Sequence, residues 1–141
     1  VSDNLRSQQT LTRAGARSAM DAALARAEEM GVQVNIAIVD AGGHLLAFER
    51  MDGAMLISVG IAQDKAWTVI AGNGLPTSQW HGAISGDPAL KLGFPHRDRL
   101  VVFGGGVPVK AGDELIGAIG VSGGSAEEDA DVASAGAAAV R

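Results

Sequence analysis

His44, His81 and His96 are the side chains best suited to hold a metal in this sequence of 141 residues. Their spacing does not point to zinc, because no H-x-x-x-H, H-x-H or H-E-x-x-H pattern occurs. An ordinary polar role is the commoner one for each. Cysteine is absent, which removes disulfides, iron–sulfur clusters and cysteine nucleophiles. A nucleophile elbow is missing too: Gly120-Val121-Ser122-Gly123-Gly124 departs from G-x-S-x-G by one position. Gly104-Gly105-Gly106 lacks both the P-loop lysine and the strand–G-x-G-x-x-G–helix context of a dinucleotide site. Gly123-Gly124-Ser125 opens a helix whose free amides could hold an anion. Ser125 and Glu128 form a capping box there, and Glu127, Glu128 and Asp129 add negative charge, so the structural role prevails.

His44 and three other residues carry the stronger chemistry. By the strand period of two, His44, Leu46, Phe48 and Arg50 share one face. An imidazole, an aromatic ring and a guanidinium on one face suit a flat, acidic, apolar ligand. With cysteine and tyrosine both missing, a haem iron would need His, Met, Lys or a weaker oxygen donor. His44 is the best placed, because a hairpin sets its direction, and it is a metal ligand only if haem is bound. Arg50 can grip a carboxylate through two hydrogen bonds, or pair with Asp52 at the surface for under about 1 kcal/mol. Lys65 lies between Ala62 and Ala66 of an apolar helical stripe. It either snorkels to water or marks a ligand cavity, and if desolvated it is a candidate base or nucleophile. The cofactor-binding candidates are therefore His44, Arg50 and Lys65, and the catalytic candidates Lys65 and Glu114, either of which could move a proton. His44 and Arg50 stand roughly 20 Å apart along a strand, too far for one small acid but suited to the two ends of a macrocycle.

The elements that position these residues follow from periodicity and punctuation. Residues 1–9 read as a flexible polar arm and residues 10–141 as one domain. A helix runs from about Leu11 to Met30, stopped by Gly31. Val32–Val39 and His44–Arg50 make a hairpin around Asp40-Ala41-Gly42-Gly43. Ala54–Ala71 is a second helix with a stripe of Met55, Val59, Ala62, Ala66 and Val69. A short helix ends at Ile84, and Asp87–Leu90 adds one more helical turn. Leu100–Phe103 and Glu114–Val121 read as strands, the latter weakened by Gly117 and Gly120 unless something packs close to its backbone. A capped helix ends the chain. The order α-β-β-α-α-β-β-α predicts an α+β domain with helices packed on an antiparallel sheet.

Composition narrows the partners. Hydrophobic residues are 47% and charged residues 19%, so the chain should fold. The net charge is −5 and no basic cluster exists, which argues against nucleic acid. No apolar run approaches the roughly 20 residues of a membrane span. The polar start resembles no signal peptide, which suits a cytoplasmic protein, although the missing initiator Met leaves room for a trimmed leader. Alanine-rich helices and 4% aromatics give one protomer a modest core, so a homo-oligomer is expected.

Six stretches, in order, resemble a known family. They are Ala37–Leu45, Arg50–Ala54, Lys65–Thr68, Gly74–Thr77, Gly104–Pro108 and Ile116–Gly124. The chain is similar over nearly its whole length to the GlcG/HbpS-like family of haem-degrading or haem-binding proteins. The C-terminal domain of PduO-type corrinoid adenosyltransferases belongs to the same group. The resemblance implies an antiparallel sheet of about five strands, with the fifth placed around Gly104–Lys110. It also implies homo-oligomers, and haem as the cofactor in some members. Two readings stand. The chain is a binding protein for haem, a corrinoid or a related organic acid, or it is a catabolic lyase, isomerase or hydrolase acting on a small organic acid.

Overall fold

Thr12 starts the first helix: its hydroxyl accepts the Gly15 amide at 3.0 Å, a side-chain cap for α1 (Arg13–Met30). Gly31, at φ 72°, stops it, returning its N–H to the carbonyls of Ala27 and Glu28. The computed structural model describes residues 2–141. Over these, β1 (Asn35–Asp40), β2 (Leu45–Arg50), β3 (Gly106–Ala111) and β4 (Glu114–Ser122) form one antiparallel sheet in the order β2-β1-β4-β3. α2 (Ile57–Ala71) leads through a 3₁₀ turn at Thr77–Gln79 into α3 (Trp80–Ile84) and α4 (Pro88–Gly93). A second 3₁₀ turn, Phe94–His96, follows, and α5 (Ala126–Ala138) ends the chain.

The sheet has helices on both faces. Ile36, Ile38, Ile119 and Val121 pack with Ala16, Ala19, Ala23 and Ala27 of α1 and with Val132 and Ala133 of α5. Ala37, Val39 and Ala118 pack on the other face with Ala62, Ala66 and Val69 of α2. The small residues of α2 and β4 let helix and strand meet closely. A Cβ on Gly120 would lie 2.0 Å from the Ala62 carbonyl oxygen and 2.6 Å from the Ala66 amide nitrogen. On the opposite face, a Cβ on Gly117 would lie 2.6 Å from the Val39 carbonyl oxygen. The close approach expected at these two glycines is therefore made by the chain's own backbone.

Three expectations need correction. The sheet has four strands among the described residues, and the segment expected to add a fifth is β3 itself. Leu100–Phe103 is not a strand despite its β-prone residues. Its Val101 amide donates to the Thr68 hydroxyl at 3.0 Å, so a side chain of α2 takes the place of a ladder partner. The helical turn expected at Asp87–Leu90 forms as α4, which Asp87 caps with Pro88 at its first position, and it adds one helix to the expected element order. The capping box of Ser125 and Glu128 is formed as expected.

Candidate functional site

Two tryptophans and a polar loop build an open cleft beside the end of α2. Trp80, at the start of α3, lies against the end of α2 at Gly72, where an added Cβ would come within 2.9 Å of its ring. Phe94 meets Trp80 with ring centroids 5.3 Å apart and planes tilted by 58°. The loop after Phe94 is pinned to α2 by Thr68, whose hydroxyl donates to the Arg99 carbonyl at 2.9 Å and accepts the Val101 amide. That clamp holds Arg99 at φ 66°, in the left-handed region. Its guanidinium carbon sits 5.0 Å from the centre of the Trp67 ring, and its Nε donates to Asp64 Oδ1 at 3.0 Å. The result is a cleft of about 510 Å³ lined by Trp67, Trp80, Phe94, His96, Arg97 and Arg99, with Asp98 and Leu100 completing the loop side. Three aromatic rings, one imidazole and two guanidiniums match a flat apolar ligand with anionic ends, and the volume is that of an ordinary ligand site.

The residues singled out from the sequence are spread over the molecule. His44 stands at the hairpin tip, one residue before β2, with its side chain 82% exposed. Its Nδ1 lies 3.2 Å from Asp40 Oδ1, and Asp40 Oδ1 also accepts the amides of Gly42 and His44. Burial would raise the Asp40 carboxyl, but the hydrogen bonds from His44 and Gly42 outweigh it, and the group titrates below its ordinary value. The expected single face of His44, Leu46, Phe48 and Arg50 does not form. The register of β1 against β2 shifts between Ile38 and Val39. Leu46 and Ala47 consequently pack together on the α1 and α5 side, while Phe48 packs on the α2 side. Arg50 is exposed at the far end of β2, in a separate cleft of about 350 Å³ with Leu24, Gln33 and Met51.

Lys65 neither snorkels nor lines a cavity wall. Its side chain is 1% exposed, and its Nζ donates to the Val121 carbonyl at 2.8 Å and to Asp129 Oδ2 at 3.1 Å. The Phe103 ring covers it, with the centroid 5.2 Å from Nζ. Burial pushes the Lys65 amine below its ordinary value, and Asp129 pulls back against that shift. Glu114 starts β4 and accepts the Gln9 amide at 2.9 Å, which ties the end of the N-terminal arm to the sheet. It borders a polar cleft of about 380 Å³ together with Arg6 and Asn73. No group of three or more His, Asp or Glu that could hold a metal ion occurs among the described residues. No helix among them is long and apolar enough to cross a membrane.

Sequence reasoning passed over Trp67, Trp80, Phe94 and Arg99 as a group. The only local signal was their chemistry: both tryptophans of the chain, and a Pro-His-Arg-Asp-Arg run, flank the short helices.

Known proteins share this architecture. A family model described as "Haem degrading protein HbpS-like" matches residues 11–138. The corrinoid adenosyltransferase PduO of Citrobacter freundii is 40% identical over 120 residues, which are 84% of this chain but 36% of that protein. The chain thus spans about a third of that relative's length. The crystal structure of Klebsiella pneumoniae protein ORFY superposes with a TM-score of 0.90 at 33% identity, covering 99% of this chain and 97% of that one. The crystal structure of a PduOC:heme complex superposes with a TM-score of 0.84 at 34% identity, covering 94% and 96%. With the family pattern matched across almost its whole length and the fold shared by these structures, the chain belongs to the HbpS-like family.

Proposed function

We propose that this chain is a tetrapyrrole-binding protein, with haem as its ligand, and that the cleft between α2 and the loop after Phe94 holds it. The observation that carries this reading is the lining itself: three aromatic rings, His96, Arg97 and Arg99 around about 510 Å³. The residues present suit the group. Trp67, Trp80 and Phe94 would contact the macrocycle, His96 would offer its imidazole to the iron, and the two arginines would meet the propionates. Bound haem would supply a redox-active iron. A relative solved as a heme complex supports haem over a corrinoid.

A second source of the iron ligand is His44. Its Nδ1 is held by Asp40, which leaves Nε2 free, the arrangement that orients metal-binding histidines. The hairpin tip also lies beside the cleft, since a Cβ on Gly43 would fall 3.5 Å from Trp67. The enzyme reading has less to draw on. Lys65 is committed to Asp129 inside the core, and Glu114 to the Gln9 amide.

Titration with hemin, followed in the visible spectrum, tests the proposal. A saturable Soret shift is expected for the wild type and a weakened, displaced Soret band for His96→Ala. If His44→Ala alone changes the spectrum, the iron ligand is His44. Absence of a saturable shift in the wild type overturns haem binding, and a cobalamin titration that does saturate would assign the site to corrinoids.

A further inference from the structure

We propose that Arg99 is the specificity-determining residue of the cleft, a preset carboxylate reader that selects tetrapyrroles with free propionates. This rests on the reading of the cleft as a tetrapyrrole site. Three observations at Arg99 carry it.

The first is the backbone. A non-glycine residue at φ 66° is held in a strained conformation that persists only where the surroundings over-determine it. Thr68, fully buried, supplies that determination by bonding the Arg99 carbonyl and, across Leu100, the Val101 amide. The second is the orientation of the side chain. Asp64 takes Nε alone, at 3.0 Å, and the guanidinium carbon lies 5.0 Å from the centre of the Trp67 ring. Nη1 and Nη2, the pair that grips a carboxylate through two parallel bonds, keep no carboxylate partner among the described residues. The third is access. The Arg99 side chain is 45% exposed and faces the aromatic cleft, where Arg97 is the second guanidinium and Asp98 the only carboxylate of the lining.

Asp64 and Trp67 therefore do before binding what a flexible surface arginine would have to do during it. A fixed guanidinium loses little freedom when it meets an anion, so its preference for a charged ligand is strong. A lysine at this position would keep the charge but lose the paired donors that grip a carboxylate.

The test compares hemin with hemin dimethyl ester, in which both propionates are uncharged. Wild-type protein should bind hemin about tenfold or more tighter than the diester, the size expected for a charge-assisted pair. Arg99→Gln should weaken hemin by about that factor and the diester less, so that the preference narrows to what Arg97 retains, and Arg99→Lys, which keeps the charge but not the paired donors, should fall between Arg99→Gln and the wild type. Asp64→Asn should narrow the preference. Circular dichroism and thermal melting check that each variant is folded, and Arg99→Gly, which relieves the left-handed backbone, serves if another variant is not. Equal wild-type affinities for hemin and diester, or an equal loss of both in Arg99→Gln, would overturn the role of Arg99 and leave the tetrapyrrole site standing. Failure of the wild type to bind either ligand would instead overturn the tetrapyrrole reading, and this inference with it.

Discussion

Lys65 places an ammonium where Asp129, the Val121 carbonyl and the Phe103 ring meet it. Such a pair contributes little net stability, but removing one partner strands a buried charge. Asp129 has a further duty, since its other oxygen accepts the Gly124 amide at 2.8 Å. Asp129→Ala should therefore destabilise the protein by about 3–5 kcal/mol, and the double variant Lys65→Met/Asp129→Leu should recover a large part of that in urea denaturation. The pH dependence has a definite sign. Burial lowers the Lys65 amine in the folded state, so between that lowered value and the ordinary 10.5 the unfolded chain binds more protons. Stability contributed by this site should rise with pH through that window. A wild-type slope no steeper than that of the double variant would show that Lys65 does not titrate there.

At the scale of elements, α2 is held to the sheet by closeness rather than by bulk. Its buried face includes Ser58, Lys65 and Thr68 beside Ala62, Ala66 and Val69, so half of its buried positions are polar or charged. Each polar side chain with a defined role reaches across to another element: Lys65 to β4 and α5, Thr68 to the loop at Arg99. Gly120 makes the approach possible. Gly120→Val should cost about 3 kcal/mol or more, because the new side chain meets helix backbone rather than a side chain that can swing away. Gly60, in the same helix, has nothing within 4 Å of an added Cβ. Gly60→Ala should stabilise by about 0.4–1 kcal/mol through helix propensity and a less free unfolded chain. Opposite shifts in melting temperature for the two variants are the expected result.

At the scale of the whole molecule, the chain leaves an apolar run uncovered. Met55, Leu56 and Ile57 at the start of α2 are 55%, 85% and 70% exposed. Three consecutive exposed apolar residues are unusual on a protein that stays alone in water. Together with a core rich in alanine, they support the expected homo-oligomer, in which a second copy would cover them. Light scattering should give a mass well above the 14.2 kDa of one chain, and Leu56→Asp should shift it towards that value. A wild-type monomer at micromolar concentration, or an unchanged assembly in Leu56→Asp, would remove this face from the interface.

What is local in this protein was legible from its residues. The Gly31 stop, the Asp40–Gly43 turn and the Ser125–Glu128 box each depend on a few neighbouring residues, and each stands where its chemistry puts it. The α+β class followed from the order of helices and strands for the same reason, since each alternating or helical period lies within one segment. Tertiary structure decided the rest. The face shared by His44 and Arg50 was lost to a register shift that only the pairing with β1 reveals. The strand expected at Leu100–Phe103 yielded to one hydroxyl of α2. Lys65 could have snorkelled or lined a cavity, and its burial against Asp129 depends on where α5 packs. The cleft is the clearest case. Trp67, Trp80, Phe94 and Arg99 belong to different elements, and they become one surface only because Gly72 admits the Trp80 ring and Thr68 clamps the loop. Contacts between distant segments leave no period in the sequence, so their chemistry was visible there while their meeting was not.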